Sequence, residues 1–230
     1  SVHAAGGAVG YAGSRAGCAQ CHSNEGYLDY LATGEESEEN FSNPTPVSCG
    51  TCHDKHSTFD FETDGQDYAL RALDPYTLFI DDATVIDFEG TSNSCIGCHQ
   101  PRNSYAIPGP TGDYTITSKR FGPHHGPHST MVEGIMGANI AGSVAYPTAG
   151  SAAHRTGASC VSCHMGESDD IDTGLHSWNP LANNCTTECH GGGQNIPSEV
   201  GGFVADLQTL EDLLLAAGYI SSSGYVQGGN

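Results

Sequence analysis

Positive charge is what this chain lacks most: 7 Lys and Arg stand against 27 Asp and Glu, a formal charge of −20 over 230 residues. A surface that acidic repels phosphate backbones, so nucleic acid is excluded as a partner and anionic membrane surfaces are disfavoured. Long apolar runs are missing too. No segment approaches the roughly 18–20 apolar residues of a membrane span, and the first residues do not read as a basic-then-apolar leader. Hydrophobic residues make up only 37%, with 3 Met and 1 Trp, while 31 Gly and 11 Pro favour loops and turns over long helices or strands. Such a chain is expected to be mostly coil, with something besides side chains filling its interior.

Cysteine, by contrast, is abundant, and its 10 residues fall into five pairs. Four segments read C-x-x-C-H: Cys18-Ala-Gln-Cys21-His22, Cys49-Gly-Thr-Cys52-His53, Cys95-Ile-Gly-Cys98-His99 and Cys160-Val-Ser-Cys163-His164. The fifth, Cys185-Thr-Thr-Glu-Cys189-His190, carries one extra residue. Disulfides or paired-cysteine zinc sites would account for the thiols, but neither requires a histidine after every second cysteine. With 12 histidines in 230 residues, five such dipeptides arise by chance below roughly one time in a million. Covalent haem does require them. Two thiols one turn apart add to the vinyl groups at one porphyrin edge, and the next imidazole binds iron from below. Four c-type haems follow from the regular motifs and a fifth from the expanded one, where a local disulfide or metal clip is the alternative. The expected proximal iron ligands are His22, His53, His99, His164 and His190.

A six-coordinate iron needs a second axial ligand, and seven histidines remain: His3, His56, His124, His125, His128, His154 and His176. Of the three methionines, Met131, Met136 and Met165, the last directly follows a proximal histidine, so bis-histidine ligation is favoured, which lowers the potentials. Adjacent His124 and His125 cannot both reach one iron and are expected to serve two neighbouring haems. His56, three residues beyond His53, is expected to reach an adjacent haem. His154 and His176 precede the fourth and fifth motifs by short loops and complete the expected distal set. His128 is a weaker candidate, either a ligand or a hydrogen-bonding neighbour. His3 reads as a surface residue of a glycine-rich terminus or as a ligand to iron in a neighbouring subunit.

The motif spacing is too irregular for a solenoid, so residues 1–230 read as one domain. Tyr76-Thr-Leu-Phe-Ile80 and Thr84-Val-Ile-Asp-Phe88, separated by Asp81-Asp82-Ala83, read as a small β-hairpin. The stretch from Gln100 to Ser159 reads as a wrapping loop that supplies ligands. Phe203, Leu207, Leu210, Leu214 and Ala217 recur at helical spacing before Gly218, which predicts a C-terminal helix that closes the domain. The acidic run Glu35-Glu36-Ser37-Glu38-Glu39 is most simply a solvated loop.

Gly122-Pro-His-His-Gly-Pro-His-Ser-Thr-Met131, followed by Ser151-Ala-Ala-His154 and Cys160-Val-Ser-Cys-His-Met165, resembles the secreted multihaem c-type cytochromes that polymerise into extracellular filaments, the OmcE/OmcS-type nanowires. The resemblance covers the haem motifs and the stretch from about Phe121 to Met165. It implies a multihaem cytochrome c fold: mostly coil and turns, a few short helices and a haem-filled core. It further implies that His124 and His125 ligate two closely packed haems. A terminal histidine, here His3, would be donated to the neighbouring subunit. The function expected is extracellular electron transfer along closely packed bis-histidine haems, in a polymeric filament. The alternative is a soluble shuttle in the periplasm or outside the cell, its acidity steering it to basic redox partners. A multihaem reductase is the third class, disfavoured because spare histidines exceed the irons. Because c-type haem is attached outside the cytoplasm, a cleaved secretion signal is expected, and the partners would be redox proteins or extracellular electron acceptors.

Overall fold

The computed structural model describes residues 3, 9–55, 58–65, 67–101, 115–119, 121–123, 126–137, 141–180, 185, 190 and 201–228. Coil predominates among them, broken by short helices and a two-stranded sheet. Helix α1, Ala19–His22, runs straight into α2, Asn24–Thr33, through Ser23. The buried Ser23 hydroxyl accepts from Gly26 N–H at 3.1 Å, capping α2 in the manner expected of serine. Gly26 itself is required by packing. A Cβ there would lie 2.3 Å from the carbonyl carbon of Ala19, so only glycine lets α2 close onto α1.

Helix α3, Cys49–Cys52, and α4, Phe61–Asp64, follow. The β-branched runs pair as an antiparallel hairpin, β1 (Tyr76–Thr77) against β2 (Val85–Ile86), with Tyr76 opposite Ile86. Asp81 builds the connection: its carboxylate accepts from the N–H groups of Ala83 and Thr84 at 3.1 and 2.9 Å. Alternation in this hairpin sends Tyr76, Leu78, Ile86 and Phe88 inward, where they meet Ile96 of α5, Asn93–Ile96, in the main apolar core. Tyr30 of α2 completes that core from outside, its ring 5.1 Å from Phe79 and 5.9 Å from Tyr76.

Three further short helices surround this centre: α6 (His128–Glu133), α7 (Ala153–Gly157) and α8 (Cys160–His164). Arg155 of α7 ties α6 and the end of the hairpin together. Its Nε meets the Glu133 carboxylate at 2.6 Å, its Nη2 donates to the Asp87 carbonyl, and its guanidinium lies over the Phe88 ring.

Helix α9, Phe203–Ala216, forms where the apolar spacing predicts it, and Gly218 ends it with a positive φ of 78°. Among the described residues it lies largely uncovered. Phe203, Val204, Leu207, Leu210 and Leu213 are all more than half exposed, whereas Leu214 is partly buried. None of the described helices is long and apolar enough to cross a membrane. Among the described residues the buried apolar cluster is small, made of Tyr76, Leu78, Ile86, Phe88 and Ile96.

Candidate haem-binding sites

Each described C-x-x-C-H motif begins in or beside a short helical turn, which continues through the histidine in the first and fourth, stops before His53 in the second and at Ile96 in the third. The turns are closed by backbone bonds from His53 N–H to Cys49 O (2.9 Å) and from His99 N–H to Cys95 O (3.0 Å). In the expanded motif the bond runs from His190 N–H to Cys185 O at 2.8 Å, one residue wider. The extra residue is absorbed as a wider turn, so Cys185 and His190 keep the relation seen in the regular motifs. Two turns share a local tether: Thr51 Oγ1 accepts from Ser48 N–H (2.9 Å), and Ser162 Oγ accepts from Ser159 N–H (2.7 Å). The nine described cysteines are free thiols; Cys189 lies outside the described residues.

The motifs converge. Cys21 Sγ approaches Gly97 O at 3.8 Å, Cys98 Sγ approaches Gln20 O at 3.6 Å, and the two thiols share a hydrogen bond, joining the first and third motifs. Cys95 and Cys160 bond likewise, joining the third and fourth. Ser92 reinforces that junction, donating to Ser159 Oγ at 2.8 Å and accepting from Val161 N–H at 3.0 Å. Thr51 of the second motif donates to Asn24 Oδ1 at 2.6 Å, beside the first. The bond with Cys21, with burial second, pushes the Cys98 thiol well above its ordinary pKa; the bond with Cys160, followed by burial, raises Cys95.

The third motif is the hub, held by two buried amides. Asn93 accepts from Phe88 N–H (2.7 Å) and donates to Leu73 O and Asp87 Oδ1 (both 2.9 Å). Gln100 accepts from Phe79 N–H at 3.0 Å and donates to Gly97 O at 3.1 Å.

Proximal imidazoles are oriented through Nδ1. His53 Nδ1 meets Tyr68 O at 2.7 Å, and His164 Nδ1 meets Trp178 O at 2.9 Å. A carbonyl can only accept, so Nδ1 carries the proton in both and Nε2 keeps its lone pair for a metal. Both carbonyls belong to non-glycine residues in the left-handed region, Tyr68 at φ 57° and Trp178 at φ 65°. They are two of the seven described non-glycine residues with a positive φ. Neither residue is a candidate from sequence, because a backbone acceptor carries no side-chain signature. The uniqueness of Trp178 in the chain is the only available signal.

Among the distal candidates, His176 lies with its ring centroid 6.1 Å from that of His53, and His154 lies 6.1 Å from His190. His3 lies 6.0 Å from His99 within its own chain. Imidazoles on opposite sides of one metal stand roughly 6 Å apart between centroids, from a metal–nitrogen bond of about 2 Å and about 1.1 Å from nitrogen to ring centre. All three separations fit a shared iron. His128 does not fit, since its ring is 5.1 Å from His99 and the two Nδ1 atoms are in direct contact at 3.1 Å. Burial first, then the nearby imidazoles, pushes His99 down to about 4, so its ring is neutral at ordinary pH, the form a metal binds. Burial also lowers His3, with the N-terminal ammonium adding to the effect. His56, His124 and His125 lie outside the described residues.

No family model, curated protein or solved structure matches this chain.

Proposed function

We propose that this chain is an electron carrier that holds five covalent c-type haems in one connected cluster, each iron between two histidines. The observation that carries the reading is the set of three histidine pairs at 6.0–6.1 Å, each joining a motif histidine to one distant in sequence. When bound, the haems supply one-electron chemistry at low potential.

The chain's own residues do the rest. Its ten cysteines fix the five porphyrin edges, and Tyr68 O and Trp178 O orient His53 and His164. In this reading His176 completes the second site, His154 the fifth and His3 the third. His22 and His164 are then left for His124 and His125, the adjacent pair expected to serve two haems. His56 is not needed as a ligand, and His128 acts as the hydrogen-bond partner of His99. The thiol contacts Cys21–Cys98 and Cys95–Cys160 support a spatial order in which the first, third and fourth haems are contiguous.

The carrier works outside the cytoplasm, where c-type haem is attached, and we take it to be the subunit of a polymeric filament, on the resemblance carried by residues 121–165. One observation favours the second reading, a soluble shuttle: His3 reaches His99 within a single chain, so no neighbour is required to complete the third site. Exchange of the N-terminal arm between copies would fill the same site from next door. Intact mass of the native protein tests haem content, with five covalent haems expected and a haem-free mass overturning the reading. Electron microscopy of the same sample separates filaments from dispersed particles.

A further inference from the structure

Trp178, the chain's single tryptophan, touches three of the sites described above. Its carbonyl accepts from His164 Nδ1 at 2.9 Å. Its ring stands edge-on to His3, 4.8 Å between centroids at 63°, and edge-on to His176, 5.5 Å at 85°. These imidazoles face His99 and His53 respectively, so the indole lies behind the distal positions of two sites while its backbone serves the proximal position of another.

The local chain is arranged to hold it there. Leu175–Ser177 forms one tight turn, anchored by Leu175 N–H to Gly166 O at 3.0 Å, two residues past His164. The turn is locked by Ser177 N–H to Gly174 O (3.0 Å) and by Gly174 N–H to Asn179 O (2.9 Å). Trp178 leaves this turn at φ 65° and ψ 3°, a conformation that glycine adopts freely and a bulky side chain resists. A glycine here would keep the carbonyl on His164 and relieve the backbone. That the position carries the largest side chain instead means the ring has a use of its own.

We propose that Trp178 is a positioning residue shared by three haem sites: its carbonyl fixes the tautomer of His164, and its indole sets the ring planes of His3 and His176. Edge-to-face contact with a large ring restricts rotation of each imidazole about its bond to the metal, and the filled space keeps water from displacing it. The angle between two axial imidazoles governs the magnetic signature of a low-spin iron, so the indole's effect can be read spectroscopically. The inference rests on the five-haem reading.

The test is low-temperature electron paramagnetic resonance of the oxidised holoprotein, with haem content counted by intact mass. Trp178→Gly keeps the carbonyl and removes the ring. The expected result is five attached haems, two of the five low-spin signals displaced, and the other three as in the native protein. Trp178→Phe leaves a smaller ring and is expected to displace the same two signals by less; it carries the test should the glycine variant fail to load haem. Spectra from the variants that coincide with the native one overturn the role of the indole while leaving the five-haem reading intact. A native protein without covalent haem removes the reading itself.

Discussion

His53 and His164 each commit Nδ1 to a backbone carbonyl, which leaves Nε2 as the one basic nitrogen and determines what these rings can bind. The ligand assignment is therefore testable one histidine at a time. His176→Ala should convert one haem in five from low-spin to high-spin, visible in the optical spectrum of the oxidised protein, and exogenous imidazole should restore it. His56→Ala should leave all five low-spin, because the proposed set of His3, His124, His125, His154 and His176 already serves all five irons. The five motifs were legible in the sequence because a cysteine pair followed by histidine is a local pattern. The pairings were not, since His53 meets His176 only through the course of the chain between them. The carbonyl contacts of Tyr68 and Trp178 were invisible for another reason: every residue possesses a main-chain oxygen.

The short elements exist to position the motifs, and two buried positions show how little slack they have. Asn93 makes three hydrogen bonds from a fully buried site at the start of α5. Asn93→Ala would strand the Phe88 N–H and lower stability by about 2–3 kcal/mol, measured as a shift in the thermal midpoint of the holoprotein. Gly26→Ala would drive a methyl into the Ala19 backbone and cost about 1–3 kcal/mol, with the first site loosened because α1 carries Cys21 and His22. At this scale the hairpin and α9 were readable from alternation and helical spacing, down to Asp81 in the connection and Gly218 at the stop. The surroundings of α9 were not: periodicity identifies an apolar stripe, and its partner is a property of the rest of the molecule. The cap at Ser23 and the amides of Asn93 and Gln100 likewise have meaning only once the third motif is seen at the hub.

Across the whole molecule, a charge of −20 and a thin side-chain core point the same way. In the proposed reading five porphyrins would complete the interior, which would then need few apolar residues, and the acidity would steer the surface toward cationic redox partners. Electron transfer to a basic partner protein should slow as ionic strength rises from 0.01 to 0.15 M, over which the screening length falls from about 30 Å to about 8 Å. A rate indifferent to salt would assign partner choice to something other than charge. A filament of this chain would have to overcome the same repulsion through close contacts between copies. His3→Ala should abolish filaments if the N-terminal arm is exchanged between copies, and should leave a soluble monomer with one altered haem if it is not. The measurement that reaches the central claim most directly is cryo-electron microscopy of the native protein. The account predicts five porphyrins, one at each motif, with iron between His53 and His176 and between His154 and His190, and with the first, third and fourth haems in contact. Motifs closed as disulfides or around zinc, or porphyrins isolated from one another by intervening chain, would contradict it.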